Sequence, residues 1–187
     1  MNKDLTVGEP QSVLWKFSIP MFVSVIFQQL YNMADSVIAG KFAGEDALAA
    51  VGASYPITMI FMAIAVGSNI GCSVIISQYF GAKWYEKMKT AIYTTLIASV
   101  ALSLLLTAAG LLGSRAMMAA INTPENIFAD GALYLRIYIG GFVFLFLYNV
   151  ATGIFNSMGD SRTPLYFLIG SSLGNIVLDL IFVAVFH

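Results

Sequence analysis

The chain has 187 residues, 59% of them hydrophobic and only 10% charged, with a formal net charge of −1. A soluble domain carries about 25% charged residues, so this chain cannot cover a water-facing surface, and its mean hydropathy of +0.83 agrees. The charge gives no sign of the basic stripe that nucleic-acid binding needs; one cysteine rules out a disulfide framework within the chain and a multi-thiolate metal site, and a single histidine, at the last position, speaks against a zinc or haem centre inside the membrane.

The longest stretches free of Asp, Glu, Lys and Arg are 17–34, 47–82, 90–114, 137–159 and 163–178. A helix crossing the hydrocarbon core needs about 20 largely apolar residues. Reading through Asp35 and Asp179, which interrupt otherwise apolar runs, predicts five spans near 14–38, 50–80, 90–114, 132–156 and 164–186. The apolar content is too continuous for the alternation of a membrane barrel. The expected fold is therefore all-α: a polytopic membrane bundle forming one domain.

The first ten residues lack the charged start, apolar middle and cleavage site of a signal peptide. The stretch 47–82 would reach about 54 Å as a helix, so it is expected to protrude as one long helix with Pro56 in its early turns. Thr123 is expected to cap the fourth helix, with Pro124 at its first position and Glu125 in its first turn. The pairs Gly67/Gly71 and Gly170/Gly174 have the spacing of close helix contacts, although general packing is the more economical reading.

Lys and Arg set orientation. Lys3, Lys16, Lys83, Lys87, Lys89 and Arg162 fall on the side of the N-terminus, against Lys41, Arg115 and Arg136 on the other. The N-terminus is thus expected in the cytoplasm of a multi-pass protein of the cell inner (plasma) membrane. An apolar run ending at His187 after an odd number of spans reads as an interruption.

An ionised side chain at the bilayer centre costs about 2.5–3.5 kcal/mol on insertion scales and usually faces the bundle interior. Asp35 lies 19 positions after Lys16 and Asp179 lies 17 after Arg162. At ~1.5 Å per residue both reach about 25–28 Å from the cytoplasmic face. Ser24, Gln28, Tyr31, Asn32 and Asp35 share one face of the first helix. Ser171, Ser172, Asn175 and Asp179 form a similar stripe on the fifth, and Tyr134, Tyr138, Gly141, Tyr148, Asn149, Thr152 and Asn156 form one on the fourth. Arg136 points away from its stripe, as a snorkelling side chain would.

Three polar stripes on an apolar chain imply a shared, water-accessible cavity. Two carboxylates at one level could hold a proton or a small hard cation through oxygen ligands, since each raises the other's pKa and a bound cation lowers it. The alternative is that the acids cap helix ends near the outer headgroups, where the cost falls away.

The sequence also resembles the multidrug and toxic compound extrusion (MATE) transporters. The matching segments are Asp35-Ser36-Val37-Ile38-Ala39-Gly40, Gly44-Glu45-Asp46-Ala47-Leu48-Ala49-Ala50, Gln78-Tyr79-Phe80-Gly81-Ala82-Lys83 and, most specific, Gly159-Asp160-Ser161-Arg162-Thr163-Pro164. The resemblance covers the whole chain as the first five helices of a six-helix N-terminal lobe. It implies export of organic cations and other amphipathic compounds against inward Na⁺ or H⁺, by alternating access between two lobes.

Resemblance to the DNA-damage-inducible F-type branch implies a cation site at Asp35, Asn175 and Asp179, with Na⁺ as one possible occupant. Tyr134 is the fourth-helix tyrosine expected to join it, with Tyr138 second; Gln28, Asn32, Tyr138, Asn149 and Thr152 support it. No cofactor beyond the coupling ion and no enzymatic activity are expected. The implied partners are amphipathic or cationic drugs, the lipid bilayer and a C-terminal lobe absent from this chain, without which one lobe has nothing to rock against.

Met33, Met59, Met62 and Phe142 are candidate drug contacts, against a weightier reading as packing. Other readings are a lipid-linked oligosaccharide flippase, an intramembrane aspartyl protease, and a non-functional truncated protein or membrane scaffold. A flippase would favour basic side chains toward phosphate, yet no stripe holds Lys or Arg. The protease would need Tyr-Asp and Gly-x-Gly-Asp motifs, whereas Asp35 follows Ala34 and Asp179 follows Leu178.

Overall fold

The structure, a computed structural model, describes residues 8–38, 40, 45–179 and 181–182. Six helices follow in order: α1 (Pro10–Ile38), α2 (Glu45–Gly81), α3 (Tyr85–Ala120), α4 (Glu125–Gly140), α5 (Phe142–Ser157) and α6 (Arg162–Asp179). No strand occurs among the described residues. α2 has 37 residues and α3 has 36, about 55 Å each, so both outreach a hydrocarbon core of about 30 Å. α2 runs through Pro56 as a single helix.

The stretch expected to form one fourth span is broken. α4 and α5 meet at 47°, at the adjacent Gly140 and Gly141. Glycine pairs are among the usual causes of sharp kinks; here the Gly141 amide is shared between the carbonyls of Ile137 and Tyr138, at 3.2 and 3.1 Å. Three segments, Pro10–Ala34, Leu48–Gly81 and Tyr85–Ala120, are each long and apolar enough to span a membrane, and the bent pair makes a fourth. The expected fifth span, 164–186, runs past the described residues.

α2, α3, α4 and α5 form the main body, with α2 packing most extensively on α5 and α4. At its centre Phe142 meets Phe61 edge-on at 5.1 Å and Phe146 at 5.7 Å, and Leu135, Ile139, Met118 and Val150 close around them. Phe142 is fully buried, in keeping with its weightier reading as a packing residue rather than a drug contact. Met33 and Met59 are exposed, and Met62 is half-buried.

Lipid tails are as apolar as leucine, so helices in a membrane associate through close packing and hydrogen bonds. Small residues do this here. A Cβ at Gly110 would stand 2.8 Å from Phe61 and 2.9 Å from Ile139. The buried Ser54 hydroxyl on α2 lies 2.9 Å from the Ala50 carbonyl and 3.3 Å from that of Gly131 on α4. By contrast, nothing stands within 4 Å of a Cβ at Gly67, Gly71, Gly170 or Gly174. Among the described residues those two pairs therefore do not make the close helix contacts that their spacing allows.

Thr123 also departs from expectation. Its hydroxyl donates back to the Met118 carbonyl at 2.8 Å, closing the end of α3, while Pro124 occupies the N-cap of α4. Thr123 thus satisfies an orphan carbonyl of one helix rather than an orphan amide of the next.

α1 lies outside this body and packs along α6; among the described residues it makes no comparable contact with another helix. α6 in turn touches α5 lightly.

Candidate functional site

The α1–α6 pair carries the candidate residues. Along α1, Phe17, Pro20, Ser24, Phe27, Tyr31 and Ala34 are half-buried, while Val23, Val25, Ile26 and Leu30 are exposed. Those spacings alternate three and four residues, the period that keeps one face of a helix against a neighbour. On α6, Leu165, Leu168, Ser172 and Asn175 are buried or half-buried at the same alternation, with Tyr166, Phe167 and Leu173 exposed.

The loop into α6 fixes where the two helices start relative to one another. Gly159 takes φ +78°, a left-handed conformation that turns the chain sharply after α5. The buried Asp160 then accepts from the amides of Arg162 and Thr163, both at 3.1 Å, and from the Thr163 hydroxyl at 2.7 Å. Burial alone would push the Asp160 carboxyl up, but the hydrogen bonds from Thr163 and the Arg162 amide outweigh it and hold its pKa below the ordinary value. Next to it, the buried Ser161 hydroxyl donates to the Phe17 carbonyl of α1 at 3.0 Å.

Because α6 begins at the level of Phe17 and then packs along α1, the two helices run parallel. Asp35 lies 18 residues beyond Phe17 and Asp179 lies 18 beyond Ser161, about 27 Å in each case. Asn175, by the same count, is level with Tyr31. At about 100° per residue Asp35 is about 40° from Tyr31, and Asp179 shares the phase of Ser161. Both positions thus continue the packed stripe of their own helix. The side chains of Asp35 and Asp179 themselves lie outside the described part of the structure. That of Asn175 is described: it is half-buried, and its Oδ1 is buried without a hydrogen-bond partner among the described residues.

The remaining candidates are distributed. Gln28 and Asn32 are exposed on the flank of the α1 stripe, where the Asn32 amide donates to Gln29 Oε1 at 3.2 Å. Tyr134 and Tyr138 are half-buried on α4 with rings stacked at 6.4 Å. Among the described residues α4 packs chiefly on α2 and α3. Asn149 donates to the Leu145 carbonyl of its own helix at 2.9 Å, and Thr152 stands one turn from Tyr148 on that helix. Asn149 and Thr152 lie beyond the bend from Tyr134 and Tyr138, so the expected single stripe is two.

A polar contact that the sequence did not single out joins α2 to α5: the Ser157 hydroxyl lies 3.1 Å from the Ser73 carbonyl. Ser161 was visible only as part of a motif. The acid two residues before α6 was the available sign that this loop is built rather than loose.

The MatE family model matches residues 20–181. The chain belongs to the MatE family. Its relatives include the probable multidrug resistance protein YoeA of Bacillus subtilis (strain 168), 33% identical over 87% of this chain and 35% of that protein. A second, the probable multidrug resistance protein YpnP of the same organism, is 31% identical over 98% of this chain and 41% of its own length. A solved MATE family multidrug resistance transporter in an outward-facing conformation superposes with a TM-score of 0.88 at 30% identity, over 94% of this chain and 39% of that one. The chain thus spans about two fifths of the length of the MatE relatives it matches, and it is a multi-pass helical membrane protein of that family.

Proposed function

We propose that this chain supplies part of the N-terminal lobe of a secondary active multidrug exporter, in the cell's inner membrane with its N-terminus in the cytoplasm. Inward movement of H⁺ or Na⁺ through Asp35, Asn175 and Asp179 drives outward movement of amphipathic, mostly cationic drugs. Asp35 and Asp179 take up and release the ion, Asn175 offers it a neutral oxygen, and Tyr134 adds a hydroxyl from α4. The partner lobe provides the surface against which access alternates.

The observation that carries this reading is Asn175. A buried acceptor with no partner costs about 1–3 kcal/mol, and this one lies one helical turn from an acid whose counterpart on α1 is at the same level. An oxygen so placed suits a small hard cation or a proton shared with a carboxylate. The multidrug resistance named for YoeA and YpnP supports the drug substrate class.

The test is export of a fluorescent organic cation such as ethidium by the full-length transporter in energised vesicles. Asp35→Asn should abolish gradient-driven export at unchanged protein level. Undiminished, gradient-dependent export by Asp35→Asn would end the reading.

A further inference from the structure

We propose that Ser161 is a positioning residue that sets the register of α1 against α6, and through it the alignment of Asp35 with Asp179; this rests on the ion-coupling reading above. Its hydroxyl is the one hydrogen-bond donor from the α6 side to the α1 backbone among the described hydrogen bonds.

Among the described residues α1 packs chiefly on α6, and the two packed stripes repeat with the same three–four alternation. Apolar stripes of equal period fit one another nearly as well after a shift of one helical turn. The membrane supplies no hydrophobic penalty for such a shift, since tails and side chains are alike apolar. A shift of four residues, about 6 Å, would bring Asp35 level with Asn175 or past the end of α6, and the two acids would no longer share an ion. A directional polar contact does not tolerate such a shift.

The Ser161–Phe17 bond is well placed for that role. The donor is buried, 4% exposed. It is held by its neighbour Asp160, which ties the first turn of α6 through Arg162 and Thr163. The acceptor is next to Lys16, whose carbonyl Pro20 deprives of its ladder amide, so the α1 backbone is already interrupted beside the contact.

The experiment uses the full-length transporter in vesicles, with Cys72 replaced by Ser and pairs of cysteines introduced for oxidative cross-linking. Ser24→Cys with Leu168→Cys pairs positions seven residues beyond the contact on each helix; Ser24→Cys with Ser172→Cys is offset by one turn. With Ser161 intact the level pair should cross-link faster. Ser161→Ala should erase that preference, and Ser161→Thr, which keeps the hydroxyl, should restore it. In parallel, Ser161→Ala without the added cysteines should raise the H⁺ or Na⁺ concentration for half-maximal export about fivefold, the loss of one buried hydrogen bond, at unchanged protein level.

A preference for the level pair that persists in Ser161→Ala overturns the inference, as does a faster offset pair with Ser161 intact. Lost preference together with a shifted ion requirement supports it. Lost preference with an unmoved ion requirement leaves Ser161 as the pin but overturns its part in ion binding, and the Asp35→Asn result then separately decides the coupling reading.

Discussion

Asn69 on α2 occupies the space that a side chain at Gly153 on α5 would need: a Cβ built there falls onto the Asn69 carboxamide and 2.6 Å from the Ser73 hydroxyl. The contact lies between α2 and α5, the most extensively packed pair, and Ser157 crosses to Ser73 one turn further on.

Gly153→Ala should therefore destabilise the bundle by about 1–3 kcal/mol, the usual cost of overpacking a filled interior. Asn69→Ala removes the obstructing group, so the double variant should recover much of what Gly153→Ala loses. Thermal unfolding in detergent across the four proteins of this cycle measures the coupling. Equal losses in Gly153→Ala with and without Asn69 would show that the clash is not what the glycine avoids.

Asp160 predicts a pH dependence with a defined sign. Its folded pKa is lowered, so it stabilises the first turn of α6 above the ordinary aspartate value of 3.8, and that stability is lost as the pH falls through the lower folded value. Hydrogen exchange at the Arg162 and Thr163 amides should stay slow on acidification to about pH 4 and quicken below it, after correction for intrinsic rates. Asp160→Ala should cost about 1 kcal/mol at neutral pH, as lost helix caps do, and should abolish this acid transition.

For Asn175, stability and function should part company. Its Oδ1 has no hydrogen-bond partner among the described residues, so Asn175→Leu removes a buried polar group rather than a described bond. Thermal stability should hold or rise by about 1 kcal/mol, while ion-driven export of a fluorescent cation should fall at least tenfold. A variant that loses stability and export in proportion would mark Asn175 as a packing residue.

Much of this architecture was legible in the order of residues. The long apolar runs dictate helices, because in lipid every backbone amide must find its partner within its own segment. On α1 and α6 a period of 3.6 puts Tyr31 with Asp35 and Asn175 with Asp179 on one face, whatever stands opposite, whereas Gln28, Asn32 and Ser171 of the expected stripes are exposed.

What needed the tertiary structure was every property of two segments at once. Gly140 and Gly141 allow a bend, but only the packing of α4 and α5 against α2 gives it 47°. Gly67 and Gly71 have the spacing of a helix contact and face open space, whereas Gly110 and Gly153, with no such signature, stand where helices meet. Ser161 and Phe17 are 144 residues apart in the chain, and nothing local pairs them. Periodicity belongs to one helix; which helix stands beside it is decided by the shapes of all the faces together.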